Sequence, residues 1–297
     1  MTFFESLGVS LKTERGNRVF PVSDKASDIV DALVKTAKRG GAEIIQGTAK
    51  KIFTENAAVS GVLLENGEAL PADSVILATG GMSYPLTGST GVGYKIARAL
   101  GHTVTEIKPS LVALNAHEGF CERLAGLSLK NVALSVFEEG RKKPVFSELG
   151  EILFTHFGIS GPLVLSASAH MRYIGKKQYT AAIDLKPGLT PEQLDKRILR
   201  DFDEEKNRDF INSLNKLLPK SLIPIVVRLS CIEPDRKVNS ISREQRAALC
   251  RVLKEFTLHI TGTRPIDEAI ITRGGISVKE IDPKTMGSRL ISGLYFA

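Results

Sequence analysis

Between Ala26 and Gly40 the apolar residues Ile29, Leu33 and Ala37 recur at fourfold spacing. That is the period of one helical face, and Gly40 is a natural stop. "AEIIQG" (42–47) then reads as a strand, giving a helix-then-strand unit. "KKIFTE", "AVSGVLLENGEALPAD" and "SVILATGG" continue as a β-meander that leads into a buried strand. Asn66-Gly67 is its hairpin turn, because both residues tolerate positive φ. From about Leu111 the pattern shortens to the β segments "VALSVFEEGRKKPVFSE", "GEILFTHFG" and "QYTAAIDLK", separated by turn signals, as in a small barrel or sandwich. At Thr190 the helical period returns. "TPEQLDKRILRDF" places Thr190 at the N-cap, Pro191 at the first helical position and Gln193 at the capping-box position. "SREQRAALCRVLKEF" repeats the device with Ser242 and Gln245, and Leu249, Leu253 and Phe256 form its apolar face. The β pattern resumes at "TLHITGTRP" and "EAIITRGGISVKEI", and the terminal "LYFA" reads as a strand.

Composition narrows the class. The 297 residues are 42% apolar and 25% charged, the profile of an ordinary soluble protein. No apolar run reaches membrane-spanning length, and "MTFFESLGVSLKTERG" lacks the charged head, apolar run and cleavage site of a signal peptide. Cys121, Cys231 and Cys250 are far apart and form neither a metal-ligand pair nor an even disulfide set. A reducing cytoplasm, with no membrane association and no metal, is the expected setting. The net charge of +7 raises the question of nucleic acid. However, basic residues alternate with acidic ones, as in "KRILRDFDEEKNRD", and no basic run lies beside a stacking aromatic motif. The expectation is a solvated mixed-charge surface, a small-molecule substrate and no nucleic-acid partner. The oligomeric state is not legible.

Four stretches have the residue types that chemistry needs. In "GSTGVGYKIARALG" Gly88, Gly91 and Gly93 permit close backbone approach, and the following helix offers free N–H groups to a phosphate. The spacing matches neither G-x-G-x-x-G nor the Walker pattern. A tight loop capped by Ser89 or Thr90 is the plainer alternative. "ILATGG" ends a strand without bulky side chains, so a large cofactor could lie against its peptide groups. In "GEILFTHFGISGP" His156 sits among small residues and suits proton exchange near neutral pH. A core histidine bonded to backbone is the alternative there. His102, His117, His170 and His259 have no acidic or cysteine company that suggests a triad or metal site, and receive no role. "ITRGGISVKEI" brings a second close-approach pair, Gly274-Gly275.

Taken in order, "GNRVFPVSDKASDIVDAL", "VILATGGMSYPLTGSTGVGYKIARALGH", "KPSLVAL", "GEILFTHFGISGP", "NKLLPKSL" and "EAIITRGGISVKEIDPKTMGSRLISGLYFA" resemble the bacterial NAD(P)/FAD-dependent oxidoreductases grouped with 3-dehydro-bile-acid Δ-reductases and aminoacetone oxidases. The resemblance covers essentially the whole chain. It implies an α/β and α+β fold in which a Rossmann-type FAD-binding domain carries a β-barrel-like domain with a helical insert. The implied boundaries are 1–110 for the FAD-binding part with its meander, and 111–189 and 257–285 for the barrel-like substrate domain. The helical insert is 190–256, and 286–297 returns to the FAD-binding domain. The resemblance further implies that Thr79, Gly80 and Gly81 lie by FAD, with Gly88, Ser89 and Gly91 in the adjoining loop. Thr155, His156, Gly158 and Ser160 face the substrate near the isoalloxazine, and Gly274 and Gly275 lie where the insert rejoins. His156 is the catalytic candidate, and NAD(P)H the electron donor. Val92 and Gly287 stand where acidic residues are common in the family. The family's first G-x-G-x-x-G strand and its closing Gly-Glu-x-x-Asp segment are not found here. The expectation is therefore a chain cut at both ends with an incomplete FAD site. Its rival is a non-catalytic binding or assembly module.

Overall fold

The computed structural model describes residues 1–14 and 17–297; Arg15 and Gly16, the latter opening the "GNRVFPV" segment, lie outside the described residues. The chain divides into two compact units, residues 1–51 with 62–71, and residues 52–61 with 72–297. The first contains a short helix α1 (Thr2–Ser6), an antiparallel hairpin of β1 (Leu11–Glu14) and β2 (Arg18–Pro21), and helix α2 (Ala26–Arg39). Helix α2 forms where the fourfold spacing predicts it, but only Ala32 is buried, and Val30 and Leu33 are exposed. The expected strand at 42–47 is absent, and Ile44 and Ile45 are about half exposed. An apolar run becomes a strand only when a neighbour satisfies its backbone groups, and no strand pairs with this one among the described residues.

The meander appears as a three-stranded sheet of β3 (Ala49–Glu55), β4 (Ala58–Leu64) and β5 (Ala69–Pro71). Its first turn has Asn56 and Ala57 both at positive φ (50° and 58°), the backbone of a two-residue hairpin. At Asn66-Gly67 only Gly67 is at positive φ (90°), and the Asn66 side chain accepts the N–H of Glu68 at 3.0 Å. Strand β6 (Val75–Leu77) is shorter and less buried than expected, with Ile76 67% exposed. It pairs in parallel with the C-terminal strand β15 (Leu294–Phe296) and, among the described residues, with no other strand.

Helix α3 (Val92–Ala99) buries Ile96 and Ala97, and beyond it lies a histidine anchor. The His102 side chain is fully buried, with Nδ1 3.1 Å from Glu280 and Nε2 2.9 Å from Ser288 Oγ. Ser288 Oγ already accepts the N–H groups of Leu290 (3.0 Å) and Ile291 (2.9 Å). Its hydroxyl therefore donates to Nε2, and His102 donates from Nδ1 to Glu280. This anchor ties the end of α3 to the segment that leads into β15.

The largest element is a closed antiparallel barrel of six strands. These are β8 (Leu114–Ala116), β9 (Ser128–Glu138), β10 (Phe146–Thr155), β11 (Gly158–Ser160), β12 (Tyr179–Asp184) and β13 (Phe256–Thr263), ordered β10-β11-β8-β13-β12-β9. Alternation along the strands turns Val132, Leu134 and Val136 of β9, Ala181 and Ile183 of β12, and Leu258 and Ile260 of β13 into the core. Gly158 closes the seam. Its φ is +153°, and a Cβ there would run into the backbone of Leu114 and Ala116. Strand β14 (Ile271–Arg273) stands outside the barrel, antiparallel to β7 (Lys108–Ser110).

Helices α4 (Phe120–Arg123) and α5 (Pro162–His170) pack on β10; between β12 and β13 every regular element is helical: α6 (Pro191–Glu204), α7 (Phe210–Ser213), α8 (Ile223–Ser230) and α9 (Arg243–Lys254), with short 3-10 turns. Both capping boxes form as the sequence predicts, Thr190 with Gln193 and Ser242 with Gln245. The helices share one apolar core with the barrel through Leu194, Ile198, Leu249 and Leu253. Lys254 Nζ fastens α9 to the barrel through the carbonyls of Lys186 and Leu189 and the carboxylate of Asp184. Two strands outside the barrel (β6 and β14), helix α3 and one barrel turn supply the residues singled out by the sequence.

Candidate functional site

Strand β6 delivers Thr79-Gly80-Gly81 to the start of a loop that ends at α3. The plainer reading of that loop, a cap by Ser89 or Thr90, does not hold. The N-cap is Gly91, at φ +78°, and no side chain caps the helix. The first N–H groups of α3 are thus left without a side-chain acceptor, and they carry the positive end of the helix dipole. The loop between is held by a residue that the sequence did not single out. Thr272 Oγ1 accepts the N–H of Met82 (2.8 Å) and of Ser83 (3.1 Å), and lies 2.9 Å from Ser83 Oγ. With both lone pairs engaged, the Thr272 hydroxyl donates to Ser83 Oγ. Gly81 makes this latch sterically possible, because a Cβ at position 81 would occupy the space of the Thr272 side chain. The glycine therefore serves an internal contact, whatever ligand approaches.

The latch brings the two glycine segments together. Gly274 and Gly275 follow β14 directly. Thr105 closes the other side, with its N–H donating to the Gly275 carbonyl at 2.7 Å and its hydroxyl accepting the Gly275 N–H at 3.1 Å. The Tyr94 ring, on the first turn of α3, stands 3.4 Å from the Cβ position of Gly275 and 3.6 Å from that of Gly91. Burial raises the Tyr94 hydroxyl above its ordinary pKa. A cleft of about 320 Å³ opens between the loop and β14, bordered by Ser83, Tyr84, Ser89, Tyr94, Ile271 and Thr272. Tyr84, Ile270 and Ile271 are exposed at its rim. Uncapped N–H groups, an open glycine backbone at Gly88 and hydroxyls mixed with the Tyr84 and Tyr94 rings suit a ligand with an anionic linker and an aromatic ring system.

The second group lies on the β10–β11 turn. Thr155 pairs with Gly158, and Leu153 with Ser160. His156 is exposed and meets the Phe157 ring edge-on at 4.9 Å, so it is neither a core histidine nor enclosed in a pocket of small residues. Arg264 lies over the Phe157 ring at 4.4 Å and forms a bidentate pair with Glu268 (2.9 and 2.6 Å). That hydrogen bond is the main reason the Glu268 carboxyl lies below its ordinary pKa. Two buried polar atoms near this turn have no partner, Thr155 Oγ1 and Asn115 Oδ1. The segment 264–275 connects the two groups. It starts at Arg264 and Glu268 beside Phe157, passes the buried Ala269, and reaches the latch at Thr272. Among the described residues no cluster of His, Cys, Asp or Glu could hold a metal ion.

The family described as "HI0933-like protein barrel and H2TH domain" matches residues 108–271. The chain is 31% identical to the 3-dehydro-bile acid delta(4,6)-reductase of Clostridium scindens, over 99% of this chain and 71% of that protein. It is 29% identical to the ribosomal RNA dihydrouridine synthase of Escherichia coli, over 92% of this chain and 65% of that protein. Among solved structures, GidA of Aquifex aeolicus overlaps 91% of this chain and 43% of its own, at 13% identity and a TM-score of 0.33.

Proposed function

The chain belongs to the HI0933-like family of flavoprotein oxidoreductases, and from that premise we propose that it reduces a conjugated carbon–carbon double bond in a small or steroid-like molecule, with FAD as cofactor and NAD(P)H as donor. The observation that carries this reading is the latched loop: an uncapped helix start and two glycine segments held side by side by Thr272. The N–H groups at the start of α3 would hold the pyrophosphate, with Gly80, Gly81, Gly88, Ser89 and Gly91 along its path and Gly274-Gly275 opposite. When bound, the flavin supplies the hydride chemistry, and the protein supplies orientation and electrostatics.

Reduction of a double bond needs one hydride and one proton. His156 would deliver the proton from a ring nitrogen: it is exposed and, among the described residues, has no hydrogen-bond partner at either nitrogen. Thr155 Oγ1, buried and unpartnered, and the neighbouring Gly158 and Ser160 would border the substrate. The glycine loop is open to solvent at Gly80 and Gly88. A ligand held there keeps much of its surface in water, so the hold of this chain on FAD is weak.

The test uses the purified chain with FAD added, reduced anaerobically by NADPH and mixed with a 4,6-dien-3-one steroid. Reoxidation of the flavin by the steroid is expected. His156→Gln should slow reoxidation by roughly 10²–10⁴-fold, the range for one proton donor, and leave reduction by NADPH unchanged. Equal reoxidation in the variant would remove His156 from the reaction. Absence of any flavin binding would remove the reading itself.

A further inference from the structure

We propose that the end of the barrel bearing Glu138 and Tyr179 is a docking surface for a single strand of nucleic acid. Two loops meet there that are separate in sequence. The β9–β10 hairpin carries Arg141, Lys142 and Lys143, and the loop before β12 carries Arg172, Lys176 and Lys177. All six side chains are exposed. The loops are brought together by the pairing of Tyr179 with Glu138, by the Glu139 N–H donating to the Gln178 carbonyl (2.9 Å), and by the Gln178 N–H donating to the Glu139 carboxylate (3.2 Å).

The charges are not balanced locally. Glu138 is buried and accepts Lys177 Nζ (2.6 Å) and the Tyr179 hydroxyl (2.8 Å), with Arg141 Nε at 3.2 Å. Glu139 is the other carboxylate on these loops, and Glu118 is engaged by His259 at 2.6 Å. Six cations therefore face two carboxylates on these loops, and Glu106, the carboxylate beyond them that senses Lys176, is already paired with Lys108 at 2.9 Å. Between the loops and β13 a cleft of about 540 Å³ is bordered by His117, Lys176, Lys177, Gln178, His259 and Thr261.

Two features favour a polymer of phosphates over a single anion. The cations are spread along two loops instead of converging on one point, which suits a backbone with regularly spaced charge. The Tyr173 ring is 47% exposed at the same edge, with Lys177 Nζ 5.2 Å from its centroid. An exposed ring beside a cation is what an unstacked base needs, and neither a free phosphate nor a lipid headgroup uses it.

The probe is a fluorescein-labelled oligouridylate of about twenty nucleotides, long enough for the site sizes of single-strand binders. Its anisotropy is followed against protein at several salt concentrations, with or without FAD. Saturable binding is expected to weaken with salt at a log–log slope of about −0.7 per phosphate contact. Changing Lys142, Lys143 and Lys176 together to Ala should reduce that slope by about 2 and weaken binding by roughly 100-fold near ~0.1 M salt. Tyr173→Ala should weaken binding roughly tenfold and leave the slope unchanged. Unaltered binding by the triple variant would overturn the proposal. So would equal affinity for phosphatidylglycerol vesicles together with no effect of Tyr173→Ala, which would assign the surface to membranes.

Discussion

Thr272→Val tests the latch with little change in volume. The substitution removes one hydroxyl and with it three hydrogen bonds, to Met82 N, Ser83 N and Ser83 Oγ. A hydrogen bond of this kind contributes about 0.5–1.5 kcal/mol net, and more is lost when a buried partner is left unpaired. Ser83 is buried, whereas Met82 is half-buried and regains part of its loss from water. The sum is about 2–3 kcal/mol, held locally between the glycine loop and β14. Because the loop can detach without the barrel, the cost should appear first as local opening. Amide exchange at Met82 and Ser83 should accelerate roughly 30- to 150-fold in Thr272→Val, at about tenfold per 1.4 kcal/mol, while barrel amides such as those of Leu134 and Leu258 stay protected. Thr272→Ser keeps the oxygen and should stay within a few-fold of the wild type. Unchanged exchange at 82 and 83 in the valine variant would refute the latch.

The cluster around Glu138 predicts a pH dependence. The Lys177 hydrogen bond first, then the Tyr179 hydroxyl and the charges of Arg141 and Lys177, lower the Glu138 carboxyl below its ordinary value. Its contribution to stability should be full above about pH 4.3, the ordinary glutamate pKa, and be lost as pH falls through the lowered folded value. Denaturant midpoints measured from pH 7 downward should fall more gently in Glu138→Gln than in the wild type, and parallel curves would contradict this. Burial pushes the Cys121 and Cys250 thiols up to about 11, whereas Cys231 is exposed. A thiol reagent at pH 8 should therefore modify one cysteine quickly in the native protein and all three in denaturant; two fast equivalents would be inconsistent with this burial.

Local signals in the sequence translated well where the structure they specify is local. The capping boxes at Thr190 and Ser242 need only residues within one turn, and both form. The alternation in "VALSVFE" and "YTAAID" gives barrel strands because each has a partner within the same domain. The strand expected at 42–47 fails for the opposite reason: its apolar residues are present, but no strand among the described residues pairs with it. Partners far apart in sequence were not legible. Thr272 meets Met82 and Ser83 across the whole barrel and its helical segment, and nothing in "ITRGG" distinguishes its threonine from any other strand residue. The company of His102, Glu280 and Ser288, is equally remote. The glycines at 80, 81, 274 and 275 were recognisable as close-approach positions. The contact that Gly81 makes room for is visible only in three dimensions, and it is a threonine of the same chain.

The central claim is that the latched glycine loop and the start of α3 hold FAD. The direct measurement is a titration of FAD with the purified chain, followed by flavin fluorescence, on the wild type and Thr272→Val in parallel with the Lys142, Lys143 and Lys176 triple-alanine variant. Saturable one-to-one binding is expected for the wild type and for the lysine variant, with a clear loss of affinity in Thr272→Val. No saturable binding by the wild type, or equal affinity in Thr272→Val, would contradict the central claim.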